Sequence, residues 1–176
     1  WEQINKLTNN IERVQGKGNT DTTHGYRVIK SILQNAPSAK IYAMDVVKRI
    51  SATPEYDEYK RLYDKGVRIF NNSYGYSAIE TNPNSPLGSQ GYSFVKEAVN
   101  NGSLFIWSGG NVEAINHGGA VGNLPRLDAG LEKGWINVVG LIPKSHDANL
   151  KFENLKPLSP AGTSKNWTIS AVGVHL

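Results

Sequence analysis

Short apolar runs alternate along this chain with longer stretches in which apolar residues recur at helical spacing. Five runs read as buried strands: Lys40–Val46 (KIYAMDV), Val67–Ser73 (VRIFNNS), Ser103–Ser108 (SLFIWS), Ile136–Ile142 (INVVGLI) and Trp167–Val174 (WTISAVGV). Between the early ones, Gly25–Gln34 places Val28, Ile29, Ile32 and Leu33 on one helical face. Ala52–Lys65 carries Pro54 in its first turn, after a Ser51 or Thr53 cap, and Gly66 just past its end. Tyr92–Asn101 stops at Asn101-Gly102. Continuous apolar strands separated by helices predict an α/β fold in three layers, a mostly parallel sheet flanked by helices. Trp1–Thr23 is polar, contains Gly16 and Gly18, and predicts a short helix followed by a loop, so the core is expected over residues 24–174.

Composition narrows the function classes. With 176 residues and 39% apolar content, the chain can bury one sizeable core, one domain or most of one. Its 19 basic and 15 acidic side chains give a net charge of +4 and are spread along the sequence, so no nucleic-acid-binding face is expected. The absence of cysteine excludes disulfides, thiol nucleophiles and cysteine-bound metals. No apolar run approaches the roughly 20 residues that span a bilayer. A start at Trp1 with no signal-like segment predicts an excised or processed fragment.

In parallel sheets the chemistry gathers in the loops after the carboxyl ends of the strands. The polar and Gly-rich stretches fall there, in Asn71–Gly91 and Ser108–Gly134. Of the four histidines, His24, His117, His146 and His175, the first opens an amphipathic helix in Asp21-Thr22-Thr23-His24-Gly25. The positive end of a helix dipole favours a neutral imidazole, the form a general base requires. Gly25 leaves room beside the ring. Trp107-Ser108-Gly109-Gly110-Asn111 follows a buried strand and sets a carboxamide beside unobstructed glycines, a donor set suited to an oxyanion. Asn71-Asn72-Ser73-Tyr74-Gly75 ends another strand and offers an extended edge to a peptide.

In this order the elements resemble the subtilisin-like serine proteases (subtilases, peptidase family S8). His24-Gly25-Tyr26-Arg27-Val28 stands where the family has His-Gly-Thr-His-Val, and Ala36-Pro37-Ser38-Ala39-Lys40-Ile41 follows as the passage into the next strand. Asn71–Gly75 resembles the substrate-edge strand, and Gly109-Gly110-Asn111 the oxyanion element. Gly134–Gly140 resembles the next strand, in the Trp-led form of the bacterial autotransporter domains. Ser159–Gly162 with Asn166–Gly173 resembles the passage after it, with Val172 in place of the family's proline.

The resemblance implies a truncated subtilisin-like fold, proteolysis of protein or peptide substrates, and a secreted or bacterial cell-surface location. It implies His24 as general base, Asn111 as oxyanion donor, and substrate binding along Ser73, Tyr74, Gly75, Ser108, Gly109 and Gly110. The family's nucleophile lies in Gly-Thr-Ser-x-Ala-x-Pro beyond the last strand. Gly162-Thr163-Ser164 precedes that strand and lacks the alanine and proline, so Ser164 is expected to be a turn residue. Asp21 matches a non-catalytic acid before the histidine, so both the catalytic aspartate and the serine are expected outside the chain, which alone is expected to be inactive. The remainder of its own domain is an expected partner. The family often binds structural calcium, but no acidic cluster has ligand spacing, so no cofactor or site is assigned. Two alternatives stand beside this reading. One is a non-catalytic subtilisin-fold binding module, favoured by Tyr26 and Arg27. The other is a nucleotide-binding domain cradling phosphate at Gly118–Gly122, disfavoured because Pro125 follows closely with no helix.

Overall fold

A computed structural model describes residues 2–14, 22–44, 56–75, 82, 84–111, 119–145 and 151–172. The chain divides into two compact units, Trp1–Val67 and Arg68–Leu176.

In the first unit, helix α1 (Glu2–Asn5) precedes strand β1 (Ile11–Val14), helix α2 (Thr22–Asn35), strand β2 (Ile41–Met44) and helix α3 (Tyr56–Asp64). Strands β1 and β2 pair in parallel, Ile11 opposite Ile41 and Val14 opposite Met44, with α2 as the crossover. Strand β1 corrects the expectation of a loop at this point. Its inner residues Glu12 and Arg13 are charged, which hides it from an apolar search. Glu12 instead meets Lys65 at 2.7 Å and Lys40 at 3.8 Å. The Lys65 hydrogen bond holds the Glu12 carboxyl below its ordinary range. All three groups are exposed, so the pairs add little stability.

Helix α2 begins three residues before the expected Gly25 and buries Ile29. It ends before Pro37, which cannot continue a helix. Helix α3 buries Tyr59 and Leu62 and stops as its glycine predicts. Gly66 takes φ +92°, and the Val67 N–H returns to the Leu62 carbonyl at 3.1 Å. The expected cap at Ser51 or Thr53 and Pro54 lie outside the described residues.

The second unit is built on a five-stranded sheet. Strands β3 (Ile69–Asn72), β4 (Leu104–Ser108) and β5 (Trp135–Pro143) run parallel, with helix α4 (Gly88–Asn100) as the β3–β4 crossover. Strand β7 (Thr168–Val172) lies parallel on the other edge of β5. The short β6 (Leu155–Pro157) pairs antiparallel with the far end of β5. Leu141 is partnered by both Pro157 and Val172, so β6 and β7 flank opposite edges of β5, and β6 continues the column that β4 leaves.

The register places Phe70, Phe105 and Trp135 in one row and Asn72, Trp107 and Asn137 in the next, all on one buried face. Phe70 stacks on Phe105 at 4.6 Å, Phe105 on Trp135 at 5.4 Å, and Trp135 on Trp107 at 5.6 Å between ring centroids. Each aromatic side chain buries on the order of 150–250 Å², so this column dominates the unit's hydrophobic stabilisation. The indole N–H groups of Trp107 and Trp135 are buried and find no hydrogen-bond partner among the described residues. On the opposite face Ile106, Ile136 and Val138 are half-buried, and Ile69 and Ile169 are 64% and 54% exposed.

Helix α4 starts four residues before the expected Tyr92 and buries Phe94, Val95, Ala98 and Val99. Its end is the expected one: Gly102 takes φ +84° and the Ser103 N–H reaches the Ala98 carbonyl at 2.9 Å. The 3-10 turn Ala129–Gly134 is fastened to α4 through Asp128. The Asp128 carboxylate accepts from Tyr92 Oη at 2.5 Å, from Lys96 Nζ at 2.8 Å and from the Gly130 N–H at 3.0 Å. Lys96, then Tyr92, hold the Asp128 carboxyl below its ordinary range. A depressed folded-state pKa contributes stability above the unfolded value near pH 4, and that contribution is lost as pH falls through the folded value. Asp128→Asn is therefore expected to cost about 1–2 kcal/mol at pH 7. The difference from wild type should shrink in urea melts below about pH 4. A constant difference down to pH 2 would remove Asp128 from this role.

Candidate active site

The exits of β3 and β4 lie side by side. Asn72, the last residue of β3, pairs with Trp107, and β4 runs one residue further, through Ser108 opposite Val138, before it leaves the sheet. The chain beyond β3 is tacked down by its side chains. Tyr74 Oη donates to Asn72 Oδ1 at 3.2 Å, and its ring stands edge-on to Trp107 with centroids 6.0 Å apart. Asn71 Nδ2 donates to Ser73 Oγ at 2.8 Å. Gly75 then passes so close that a Cβ on it would sit 4.0 Å from the Ser108 carbonyl oxygen.

The β4 exit is more tightly constrained. Gly109 continues the ladder one step, its N–H bonding the Val138 carbonyl at 2.8 Å. A Cβ there would lie 2.8 Å from Val139 Cγ2, 2.9 Å from the Val138 carbonyl oxygen and 3.2 Å from Asn137 Nδ2. Only glycine fits. Gly110 then takes φ +94°, a left-handed conformation that a side chain would strain, with Ser159 Oγ 3.6 Å from where its Cβ would be. The two glycines lift the chain off the sheet and leave Asn111 exposed. Beyond them, the Leu158 N–H bonds the Gly140 carbonyl at 2.7 Å, so β6 takes over the edge of β5 that β4 gives up.

His24 stands exposed in the first turn of α2, in the first unit. Asp21, His117, His146 and His175 lie outside the described residues. Ser164 lies in the 3-10 turn Gly162–Trp167 and is fully buried. Its hydroxyl donates to the Ala161 carbonyl at 2.7 Å, as a turn residue does and a nucleophile does not. Gly119, Ala120, Val121 and Gly122 are buried, and the Gly122 carbonyl accepts from Trp167 Nε1 at 2.7 Å. Only a three-residue 3-10 turn, Leu124–Arg126, follows, so this stretch has no helix N-terminus to hold a phosphate. Gly118 lies outside the described residues. Among the described residues no three His, Asp or Glu side chains gather to hold a metal, so no step is assigned to calcium.

Two adjacent strand exits with a carboxamide presented over a Gly-Gly turn are suited to holding an extended peptide beside an anion-stabilising donor. The model of the subtilase family, Peptidase_S8, matches residues 10–175. The chain belongs to the subtilase family. By family it is a serine protease, a class whose substrates are proteins. No curated protein matches it.

The subtilase match leaves unassigned the residues beneath the β4 exit, Asn137, Val139 and Ser159, which sequence reasoning did not single out. The available signal was Asn137 itself, one polar residue inside the apolar run Ile136–Ile142. Gly109→Ala is expected to push the exit off β5 and cost more than about 2 kcal/mol, by the overpacking that strained cores show. Gly75→Ala, with ordinary van der Waals clearance, should be within about 0.5 kcal/mol of wild type in the same chemical melt. Equal effects would mean that the Gly109 clearance does not decide stability.

Proposed function

We propose that this chain forms part of a serine endopeptidase in which His24 is the general base and Asn111 the oxyanion donor. The nucleophilic serine and the orienting aspartate of the proposed site come from outside these residues. The observation that carries the reading is the pairing of exits, with Gly75 against Ser108 and Asn111 exposed past Gly109-Gly110. Ser73–Gly75 and Ser108–Gly110 offer backbone groups to an extended substrate, which lies along the two exits as an added strand. The serine oxygen attacks the scissile carbonyl carbon while His24 takes its proton. The carbonyl oxygen gains the charge, and the Asn111 amide stabilises it by hydrogen bonding. Collapse breaks the C–N bond, and His24 delivers the proton to the leaving amine. Water then enters with His24 again as base, releasing the acid and restoring the serine.

The exposed setting of both groups supports these roles, since each must reach a substrate. The autotransporter-like Gly134-Trp135 passage supports a secreted or cell-surface parent. A second reading, a non-catalytic module of the same fold, is favoured by Tyr26 and Arg27 in the histidine element.

Fluorophosphonate labelling separates the two. The full-length parent should label at a serine downstream of Val172, and this chain alone should not label. In the parent, His24→Ala should lower turnover by a factor of at least about 10⁴. Asn111→Ala should lower kcat by about 10²–10³. Labelling at Ser164 would overturn the placement of the nucleophile, and absence of labelling in the parent would favour the non-catalytic module.

A further inference from the structure

Asn137 lies on β5 opposite Trp107, and its side chain is fully buried. Its Nδ2 donates to Ser164 Oγ at 3.1 Å and to Thr168 Oγ1 at 3.2 Å. Each hydroxyl has a backbone carbonyl within reach, Ser164 Oγ that of Ala161 and Thr168 Oγ1 that of Ser164, each at 2.7 Å, and the two hydroxyl oxygens lie 2.9 Å apart. In this arrangement both hydroxyls accept from the Asn137 amide. The other end, Oδ1, is buried with no partner among the described residues. A leucine would occupy a similar volume without that unpaired acceptor, so stability alone does not account for an asparagine here. What the asparagine provides is a flat group locked in one orientation beneath the β4 exit, with Nδ2 3.2 Å from the site of a Gly109 Cβ.

We propose that Asn137 is a positioning residue for Asn111, holding the Gly109-Gly110 turn at the height from which the Asn111 amide meets the oxyanion. The proposal rests on the oxyanion role given to Asn111 above. The path is short: Ser164 and Thr168 fix the Asn137 amide, the amide supports Gly109, and Gly109 is two residues from Asn111. An oxyanion donor displaced by a fraction of an ångström loses its grip on the transition state while leaving substrate binding along the strand exits intact. The effect should therefore fall on kcat.

The test is Asn137→Leu in the full-length parent, assayed for kcat, KM and thermal midpoint. The expected result is an unchanged or raised midpoint, KM within about twofold of wild type, and kcat lower by about tenfold. In an Asn111→Ala background the same substitution should add no further loss, because the group it positions is gone. Thr168→Val, which removes one of the two acceptors, should give a smaller loss of the same kind should Asn137→Leu fail to fold. Unchanged kcat, or an equal loss with and without Asn111, overturns the proposal. Amide hydrogen exchange at Gly109, Gly110 and Asn111 separates it from the reading beneath it. Faster exchange there in Asn137→Leu, with α4 unaffected, supports positioning even where the parent proves inactive; unchanged exchange overturns positioning whatever the parent's activity.

Discussion

The absence of space at Gly109 governs the second unit. Strand β4 stays bonded to β5 one residue beyond its last side chain, and at that residue the backbone lies against Val138, Val139 and Asn137. A side chain at that point would collide with atoms of the sheet's own backbone, so the exit cannot slide or tilt without breaking the ladder. The direction of the following turn, the left-handed Gly110 and the exposure of Asn111 all follow from this contact. The β3 exit depends on it as well, because Tyr74 leans on Trp107, two residues before Gly109. The aromatic column from Phe70 to Trp107 is then the stiff base beneath both exits.

Much of the architecture was legible because apolar continuity and helical spacing are strong signals for buried strands and their crossovers. The five strands read from VRIFNNS, SLFIWS and similar runs are present within a few residues, and Gly66 and Gly102 end their helices as expected. What escaped had no apolar signature. Strand β1 is half charge, and its Glu12 pairs with two lysines distant in sequence. Strand β6 is three residues, Leu155-Lys156-Pro157, held by pairing with the far end of β5 rather than by its own propensity. Tertiary pairing decides such elements, and single-sequence pattern does not carry tertiary pairing.

The candidate site shows the same division. Gly109-Gly110-Asn111 could be read because the motif's chemistry is local: two glycines and a carboxamide adjacent in the chain. Ser164 sits in an equally suggestive Gly-Thr-Ser triplet, yet its hydroxyl is sealed in the turn. A nucleophile is defined by access and by a base within reach, and neither is a property of three letters. Asn137 is the converse case, an unremarked residue whose position beneath Gly109 appears only when β4 and β5 are in register.

Topology explains why the two strand exits of the second unit are far apart in sequence and yet adjacent. In the second unit Ser73–Gly75 follows β3 and Gly109–Asn111 follows β4. Each stands past the carboxyl end of a parallel strand, where the backbone must turn and its polar groups need partners other than a neighbouring strand. A parallel sheet gathers its carboxyl ends on one edge, so successive βα connections deliver their loops in the same direction. The sheet interior can then be made rigid by apolar and aromatic packing while the exits vary in chemistry. In this chain the buried network of Asn137, Ser164 and Thr168 breaks that separation, bringing polar groups into the core directly beneath an exit. Such a network fixes one arrangement where apolar packing would tolerate several, and the exit above it is the one that presents Asn111.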